Sequence, residues 1–103
     1  MIIMKVLFDQ LAKLELDEAV AFYEVEIKGL GRRFKHEVKS AIRRIQEYPY
    51  TWPKEKGELR RYLLHKFPYK IVYSVERDYL YIIAVAHCHR HPEYWIDRVL
   101  GND

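Results

Sequence analysis

The stretch that decides the fold is YLYIIAVAHCHRHPEYWIDR, residues 79–98, and it divides into two parts. Its first part, Tyr79–Ala86, contains eight apolar residues rich in β-branched and aromatic side chains, which predicts a buried strand. The run is too short to span a membrane. Its second part begins at His87 and is polar, titratable and aromatic. Because a central strand fixes the backbone at its end, we expect a candidate site where this strand stops.

Upstream of that strand, apolar periodicity predicts one short strand and two long helices. Residues 2–8 form a short apolar run. Residues 10–28 lack Gly and Pro and place apolar residues at three- and four-residue steps, with acidic residues between them. Residues 34–48 repeat the pattern with basic residues between, and Gly29 and Gly31 separate the two segments. We expect an antiparallel helical hairpin whose acidic and basic flanks attract each other.

Three further strands are predicted to follow the helices. Residues 49–58 contain two prolines and a glycine and are interpreted as a loop. Strands are predicted at Leu59–Leu64, Tyr69–Val75 and Tyr79–Ala86, and their short connections favour an antiparallel meander. Residues 93–100 are expected to form a short helix or turn. The predicted fold class is α+β in the order β-α-α-β-β-β with a short C-terminal helix or tail. The helical hairpin packs on one face of a small, mainly antiparallel sheet, and the first strand joins an edge.

Length and composition indicate one globular domain over residues 1–103. Half of the residues are apolar and 32% are charged, as in folded globular chains and unlike disordered ones. The single cysteine, Cys88, excludes an intrachain disulfide and fits a reducing compartment. Lys5 interrupts the apolar start of the chain, which is not the pattern of a signal peptide. We therefore expect a cytoplasmic protein with no membrane partner.

Charge is segregated along the chain although the net charge is only +3. Residues 31–70 hold 12 Lys or Arg against 4 Asp or Glu, a local charge of +8, and the remainder carries −5. Such a field predicts a basic face for an acidic peptide or for phosphates. The alternative is a solvated helix face whose charges meet the acidic helix before it, and charge alone does not separate the two.

The histidines that follow the last predicted strand have the composition of a possible metal site. His87, His89 and His91 would share one face of an extended strand. However, zinc sites usually draw ligands from two separated clusters, and neither C-x-x-C nor H-E-x-x-H is present. We therefore expect no metal and no cofactor. We interpret Cys88 as a small core residue.

A second group of residues is basic and aromatic and lies on the predicted strands or just behind them. It comprises Arg60, Arg61, Lys70, His87, His89, Arg90, Tyr94 and Arg98. Cleavage of a phosphodiester needs a base, a cation for the phosphate and an acid for the leaving oxygen, and aromatic rings stack on splayed RNA bases. The alternative is that these residues bind an acidic protein or tie the tail to the sheet. For Arg98 we favour a tie, over the Trp95 ring or to an acidic residue.

Three stretches resemble the RelE/ParE superfamily of bacterial toxins, the toxin halves of type II toxin–antitoxin systems. They are LGRRFKHEVKSAIRRIQEYP (residues 30–49), LRRYLLHKFPYKIVYSV (59–75) and AVAHCHRHPEYWIDR (84–98). The second carries an R-x-x-L-x-x-F-P-Y-x-I-x-Y core, and the third is close to the ending H-x-R-R-x-P-x-Y-W-x-x-R. The resemblance implies a cognate antitoxin, encoded alongside, that forms a hetero-oligomer with this chain and folds a disordered segment on binding. The residues expected to bind it are Arg32, Arg33, Lys39, Arg43 and Arg60.

The resemblance implies two different activities, because the superfamily divides. RelE-like members cut messenger RNA in the ribosome as mRNA interferases, whereas ParE-like members inhibit DNA gyrase and are not nucleases. The ribonuclease branch implies five candidate catalytic residues, Arg61, Lys70, His89, Arg90 and Tyr94. Of these, Arg61 and Lys70 would hold the phosphate, and either the histidine or the tyrosine would transfer a proton.

Two positions depart from the ribonuclease branch, since Leu63 and Cys88 stand where it has basic residues. The P-x-Y-W-x-x-R ending and the F-P-Y-x-I-x-Y strand are closer to the ParE type, the plasmid stabilisation side of the superfamily. We therefore expect a ParE-like toxin that inhibits growth through DNA gyrase. The alternatives are a ribosome-dependent mRNA endoribonuclease and an inactive binding module of the same fold. The chain is an enzyme only in the ribonuclease alternative.

Overall fold

The computed structural model describes residues 3–100, and its elements follow the predicted order with one additional strand. The strands are β1 (Lys5–Phe8), β2 (Lys54–Lys56), β3 (Leu59–Leu63), β4 (Tyr69–Val75) and β5 (Tyr79–His87), and the helices are α1 (Gln10–Glu26), α2 (Leu30–Glu47) and α3 (Asp97–Leu100). Ile2, the first residue of the predicted N-terminal strand, lies outside the described residues. None of the helices within residues 3–100 is long and apolar enough to cross a membrane.

The five strands form one sheet in the order β1-β5-β4-β3-β2. β1 is parallel to β5, and every other neighbouring pair is antiparallel. The α+β class, the mainly antiparallel sheet and the edge position of the first strand are thereby confirmed. β5 lies between β1 and β4, so it is an internal, buried strand, as its apolar run predicted, although β4 occupies the centre of the sheet.

The interpretation of residues 49–58 as a loop alone was wrong, because β2 lies within them. The two prolines of this segment lie outside β2, so they remove no ladder hydrogen bond from it. Gly57, at φ +56°, makes the tight turn that lets Lys54 pair with Arg60. The N–H of Arg61 donates to the carbonyl oxygen of Pro53 at 3.0 Å.

The main core lies between the helical hairpin and one face of the sheet. α1 contributes Ala12, Leu16 and Ala19, α2 contributes Phe34, Val38, Ala41 and Ile45, and the sheet contributes Tyr62, Ile71, Tyr73, Leu80, Ile82 and Val85. Burial of each of the larger side chains stabilises the fold by about 1.5–3 kcal/mol. This core fixes the two helices side by side on the sheet, as predicted.

The turn between the helices is made by Gly29, which adopts a φ of +89°. Gly31 was predicted to belong to this turn, but it lies in the first turn of α2. A Cβ atom there would collide with the carbonyl oxygen of Val20, so Gly31 permits the close approach of the two helices. No ion pair joins α1 to α2 within residues 3–100, and the predicted attraction between the helix flanks appears only where the charge of Arg32 helps to lower the pKa of Glu24, after the hydrogen bonds from Gly29 and Gly31.

A second, smaller core covers the opposite face of the sheet. Trp95, which is 1% exposed, packs there with Leu59, Val72, Ile83 and nearby alanines of β5. The C-terminal segment therefore returns across the sheet face that the helices leave open. This explains why β5 is a continuous apolar run and not an alternating one, because both of its faces are buried.

Candidate functional site

Two of the predicted catalytic cations share one carboxylate on the sheet face opposite the helices. Lys70 Nζ lies 2.6 Å from Oε2 of Glu55, and Arg61 Nη1 lies 3.5 Å from Oε1 of the same side chain. Arg61 also donates to the carbonyl oxygen of Lys54 at 3.0 Å. Glu55 belongs to β2, the strand that the sequence did not predict. Its largely buried carboxylate offsets positive charge that would otherwise be available to a phosphate.

Tyr94 and Arg90 form a second group at the end of the sheet. The Arg90 guanidinium lies 4.0 Å from the centroid of the Tyr94 ring, a cation–π contact. The Tyr94 hydroxyl donates to Oε2 of Glu15. Burial, together with this hydrogen bond and the charge of Glu15, raises the pKa of Tyr94 well above its ordinary value. A phenol held in this way is poorly matched to proton transfer near neutral pH.

The five predicted catalytic residues are therefore not one cluster. His89 lies exposed beyond β5, where its backbone N–H donates to Nδ1 of His87 at 3.1 Å. Arg61 and Lys70 meet through Glu55, while Arg90 and Tyr94 meet by stacking. Across the described part of the chain, no hydrogen bond or ion pair connects these groups to one another.

Glu15 of α1 and Arg98 of the C-terminal segment form a largely buried ion pair at the edge of β5. Arg98 Nη1 and Nη2 donate to the Glu15 carboxylate at 3.0 and 2.8 Å. Arg98 Nη1 also donates to the Ile83 carbonyl oxygen at 2.9 Å, and the N–H of Val85 donates to Glu15 at 3.0 Å. β1 ends opposite Ile82, so these two side chains satisfy the strand edge that β1 leaves unpaired.

This arrangement confirms that Arg98 ties the tail to the sheet. Its acidic partner is Glu15, and its guanidinium lies 5.2 Å from the centroid of the Tyr94 ring, not over Trp95. Burial alone would lower the pKa of Arg98, but the hydrogen bonds and charge of Glu15 raise it. The group is a charged clamp between α1 and the C-terminal segment.

The predicted partner-binding cations have two different environments. Arg32, Arg33, Lys39 and Arg43 are exposed on α2, and within residues 3–100 none of them forms an ion pair. Arg60 differs, because its Nη1 donates to the carbonyl oxygens of Tyr50 and Trp52 at 3.2 and 2.7 Å. Arg60 therefore holds the segment before β2 in place.

An open groove of about 1030 Å³ runs between α2 and the link that joins β3 to β4. We call this feature the groove. Its lining consists of Tyr23, Leu30, Arg32, Arg33, His36, Glu37, Ser40, Arg44, His65, Lys66, Phe67 and Pro68. Two of the predicted partner-binding cations, Arg32 and Arg33, are on its rim, whereas Lys39 and Arg43 lie outside it.

The floor of the groove is an aromatic cluster. The Phe67 ring centroid lies 5.0 Å from those of both Tyr23 and Phe34, with edge-on geometry. Tyr23 is partly buried at this cluster, and that burial raises the pKa of its hydroxyl. The groove thus combines an apolar aromatic floor with a cationic rim.

One side of the groove is held in shape by Glu37 of α2. Its Oε2 atom accepts hydrogen bonds from the backbone N–H groups of His65 and Lys66, at 2.6 and 3.2 Å. These bonds fix the link between β3 and β4 against the helix. The sequence predicts His65–Pro68 only as a connection between two strands, because the groove arises from contacts of this link with α1 and α2.

The interpretation of Cys88 as a core residue was wrong. β5 ends at His87 and the chain turns there, so Cys88 is exposed and is not a core residue. Among residues 3–100, no group of three or more His, Cys, Asp or Glu side chains is arranged to hold a metal ion.

Trp52 is half-buried and packs edge-on against Tyr62, with 4.7 Å between the ring centroids, so it holds its loop against the core.

The fold defines a class of protein, a small α+β domain in which a helical hairpin packs on one face of a five-stranded, mainly antiparallel sheet. A solved structure described as the chromosomal ParDE TA system from P. aeruginosa has the same fold, with a TM-score of 0.72 over 82% of this chain and 96% of that chain. Sequence identity to it is 17%. A search of curated proteins returned no match.

The family described as the ParE toxin of the type II toxin–antitoxin system, parDE, matches residues 6–92, and the chain belongs to it. The predicted resemblance to the RelE/ParE superfamily is confirmed, and so is the assignment to its ParE branch.

Proposed function

We propose that this chain arrests growth by acting on DNA gyrase, and that a cognate antitoxin neutralises it by placing an acidic, apolar segment in the groove. The observation that carries the antitoxin half of the proposal is the chemistry of the groove. Its aromatic floor offers apolar area to bury, and the cations of its rim have no ion-pair partner within residues 3–100. Such a surface favours a segment that supplies both apolar side chains and carboxylates.

Gyrase as the target is supported by family membership and by the state of the ribonuclease candidates. A nuclease needs a cation free to hold the phosphate and a group that transfers a proton near neutral pH. Arg61 and Lys70 are instead bound to Glu55, and the Tyr94 hydroxyl is bound to Glu15. These contacts favour a toxin that acts by binding and not by hydrolysis.

Supercoiling of relaxed plasmid by gyrase, with purified antitoxin-free protein added, tests the target. We expect inhibition that leaves cleaved DNA trapped on the enzyme, and we expect pre-incubation with the antitoxin to abolish it. Arg61→Ala serves as the matched variant, because gyrase inhibition should persist in it. Cleavage of translated messenger RNA that is lost in Arg61→Ala, with gyrase unaffected, would replace gyrase by the ribosome. Absence of both effects, with no growth arrest from a soluble product, would indicate an inactive binding module.

The groove itself is tested with the short acidic protein expected from the neighbouring reading frame. Calorimetric titration should give a dissociation constant at least about tenfold weaker for Arg33→Glu than for the unaltered chain. Lys35→Glu is the matched control, since it makes the same charge change on α2 outside the groove lining. Equal losses in the two variants would show that only the general field of α2 matters. A larger loss in Lys39→Glu than in Arg33→Glu would move the contact away from the groove.

A further inference from the structure

The outer face of α1 carries a second apolar stripe, which we call the α1 stripe. Leu11 (49%), Leu14 (49%), Phe22 (58%) and Val25 (85%) are exposed to the fractions given. With Glu18 between Leu14 and Phe22, the positions 11, 14, 18, 22 and 25 follow one another at steps of three and four residues along about 21 Å of helix, and Ala21 is exposed beside them. The residues of α1 that face the sheet are a different set, already described in the main core. α1 is therefore apolar on two sides, and no part of residues 3–100 buries the outer one.

The centre of the α1 stripe is acidic. Glu18 is exposed and lies four residues from both Leu14 and Phe22, which places it in the line of the stripe. α1 has five acidic residues and a single basic one, Lys13, whose ammonium is 2.9 Å from Asp17. Within the described chain, Glu18 forms no ion pair. The stripe thus presents apolar side chains around an uncompensated negative charge.

We propose that the α1 stripe docks an amphipathic helix of a partner protein, with Lys or Arg at the centre and along the flanks of that helix's apolar face. The three- and four-residue spacing is the spacing at which one helix presents side chains to another. The acidic centre selects a cation on the incoming helix, and the net negative charge of α1 favours further cations beside it. This partner differs from the acidic segment proposed for the groove, because the two surfaces have opposite charge. The inference does not depend on the target of the toxin.

A second copy of this chain fits the α1 stripe poorly. The positions of the stripe are symmetric about Glu18, since residues 11, 14, 22 and 25 lie seven and four residues on either side of it. Parallel pairing of two α1 helices, and antiparallel pairing centred on the stripe, would both place Glu18 against Glu18 of the other copy. Opposed like charges destabilise such a contact. A foreign helix with a central cation avoids this repulsion.

Two labelled helical peptides of three heptads test the proposal by fluorescence anisotropy with the full chain. Both have leucine at the heptad positions, and one has lysine where the other has glutamate at the central and flanking sites. We expect the unaltered chain to bind the lysine peptide at least about tenfold more tightly than the glutamate peptide. Glu18→Lys should reduce the ratio of the two dissociation constants by about tenfold, because it reverses the charge at the centre of the stripe.

Matched apolar variants complete the design. Leu14→Gln combined with Phe22→Gln should weaken binding of the lysine peptide by about tenfold or more. Leu63→Gln alters an exposed leucine on the far side of the sheet, 55% exposed, and should leave binding unchanged. The proposal is overturned if the lysine peptide does not bind, or if Glu18→Lys leaves the preference intact. It is also overturned if sedimentation shows a dimer of the unaltered chain that Phe22→Gln dissociates, since a second copy would then cover the stripe.

Discussion

The β5 edge and the groove rim differ in the environment of their arginines, which is largely buried and ion-paired at the edge and exposed at the rim. At the edge, Arg98 donates to Glu15 and to the Ile83 carbonyl oxygen, and its side chain is only 10% exposed. At the rim, Arg32 and Arg33 are exposed and, within residues 3–100, form no ion pair. The arginine at the edge supports the fold, while those at the rim are free to meet a ligand.

This difference distinguishes cations that support the fold from cations that remain available to a ligand, although both are arginines. A buried charge loses its hydration and must recover it from hydrogen bonds within the protein, so its removal or isolation costs much stability. An exposed charge keeps its water and contributes little to folding, but it becomes valuable when a partner brings an opposite charge beside an apolar surface. Substitution of a buried cation should therefore change the free energy of unfolding, whereas substitution of an exposed cation should change the affinity for a partner.

The largest loss of stability is expected from Arg98→Ala. The change leaves the Glu15 carboxylate, which is 12% exposed, largely buried without its cation, and because Val85 and Tyr94 still donate to it the cost lies towards the lower end of the range of about 3–5 kcal/mol for breaking a buried pair. Denaturant unfolding should show this as a lower midpoint at unchanged slope.

The matched control for Arg98→Ala is the double variant Glu15→Met/Arg98→Met, which replaces both charges by apolar groups of similar length. It should recover part of the lost stability, because no charge is left isolated, but the Val85 N–H, the Ile83 carbonyl oxygen and the Tyr94 hydroxyl lose their partners. A loss below about 1 kcal/mol in Arg98→Ala would show that the pair behaves as a solvated surface bridge. The β5 edge would then belong to the same class as the groove rim.

An intermediate loss is expected from Glu55→Gln. Glu55 is the common partner of Lys70 and Arg61, and the Lys70 side chain is 18% exposed, so the lysine keeps partial access to water. We expect destabilisation of about 1–2 kcal/mol in the same unfolding experiment. Glu76→Gln, on an exposed carboxylate, provides the control. If both variants unfold alike, Glu55 does not restrain the two cations, and their availability to a phosphate would have to be reconsidered.

Most helices and strands could be predicted because each depends on a pattern of apolar, polar and turn-forming residues within one continuous segment. β4 has the predicted bounds because Pro68 and the acidic turn after Val75 mark its ends. β2 escaped prediction since it has only three residues, lies between two prolines and a glycine, and exists only through pairing with β3. Cys88 was misplaced because β5 extends one residue beyond the predicted end before the chain turns.

The candidate sites could not be assembled from the sequence because their contacts join distant residues. Glu15 is 83 residues from Arg98 along the chain, and nothing near either one marks the other as its partner. The sequence therefore placed Arg98 and the strand cations in one basic group, although the fold distributes them among separate carboxylates. The groove has the same origin, as its floor joins Tyr23 of α1 to Phe67 of the link after β3.

A smaller, pH-dependent loss of stability is expected from Glu24→Gln. The Glu24 carboxylate is exposed, although both of its oxygens accept hydrogen bonds. Hydrogen bonds from the N–H groups of Gly29 and Gly31, at 2.8 and 3.0 Å, lower the pKa of Glu24. A lowered pKa in the folded state stabilises the fold above the ordinary carboxyl pKa, and this contribution disappears as the pH falls through the lowered value. The unaltered chain and Glu24→Gln should thus differ in thermal midpoint at pH 7 and converge in acid. A difference that persists in acid would show that the hairpin turn depends on the shape of the side chain and not on its charge.

The smallest change in stability is expected from Arg33→Ala, on the groove rim. Its guanidinium is exposed and has no ion-pair partner in the described chain, so its removal should shift the unfolding free energy by no more than about 0.5 kcal/mol. Lys35→Ala, on the same helix outside the groove, should behave identically in unfolding and differ only when an acidic partner is titrated. Destabilisation above about 1 kcal/mol in Arg33→Ala alone would place Arg33 with Arg98 among the structural cations. The groove would then lose the free charge on which its proposed selection of an acidic segment depends.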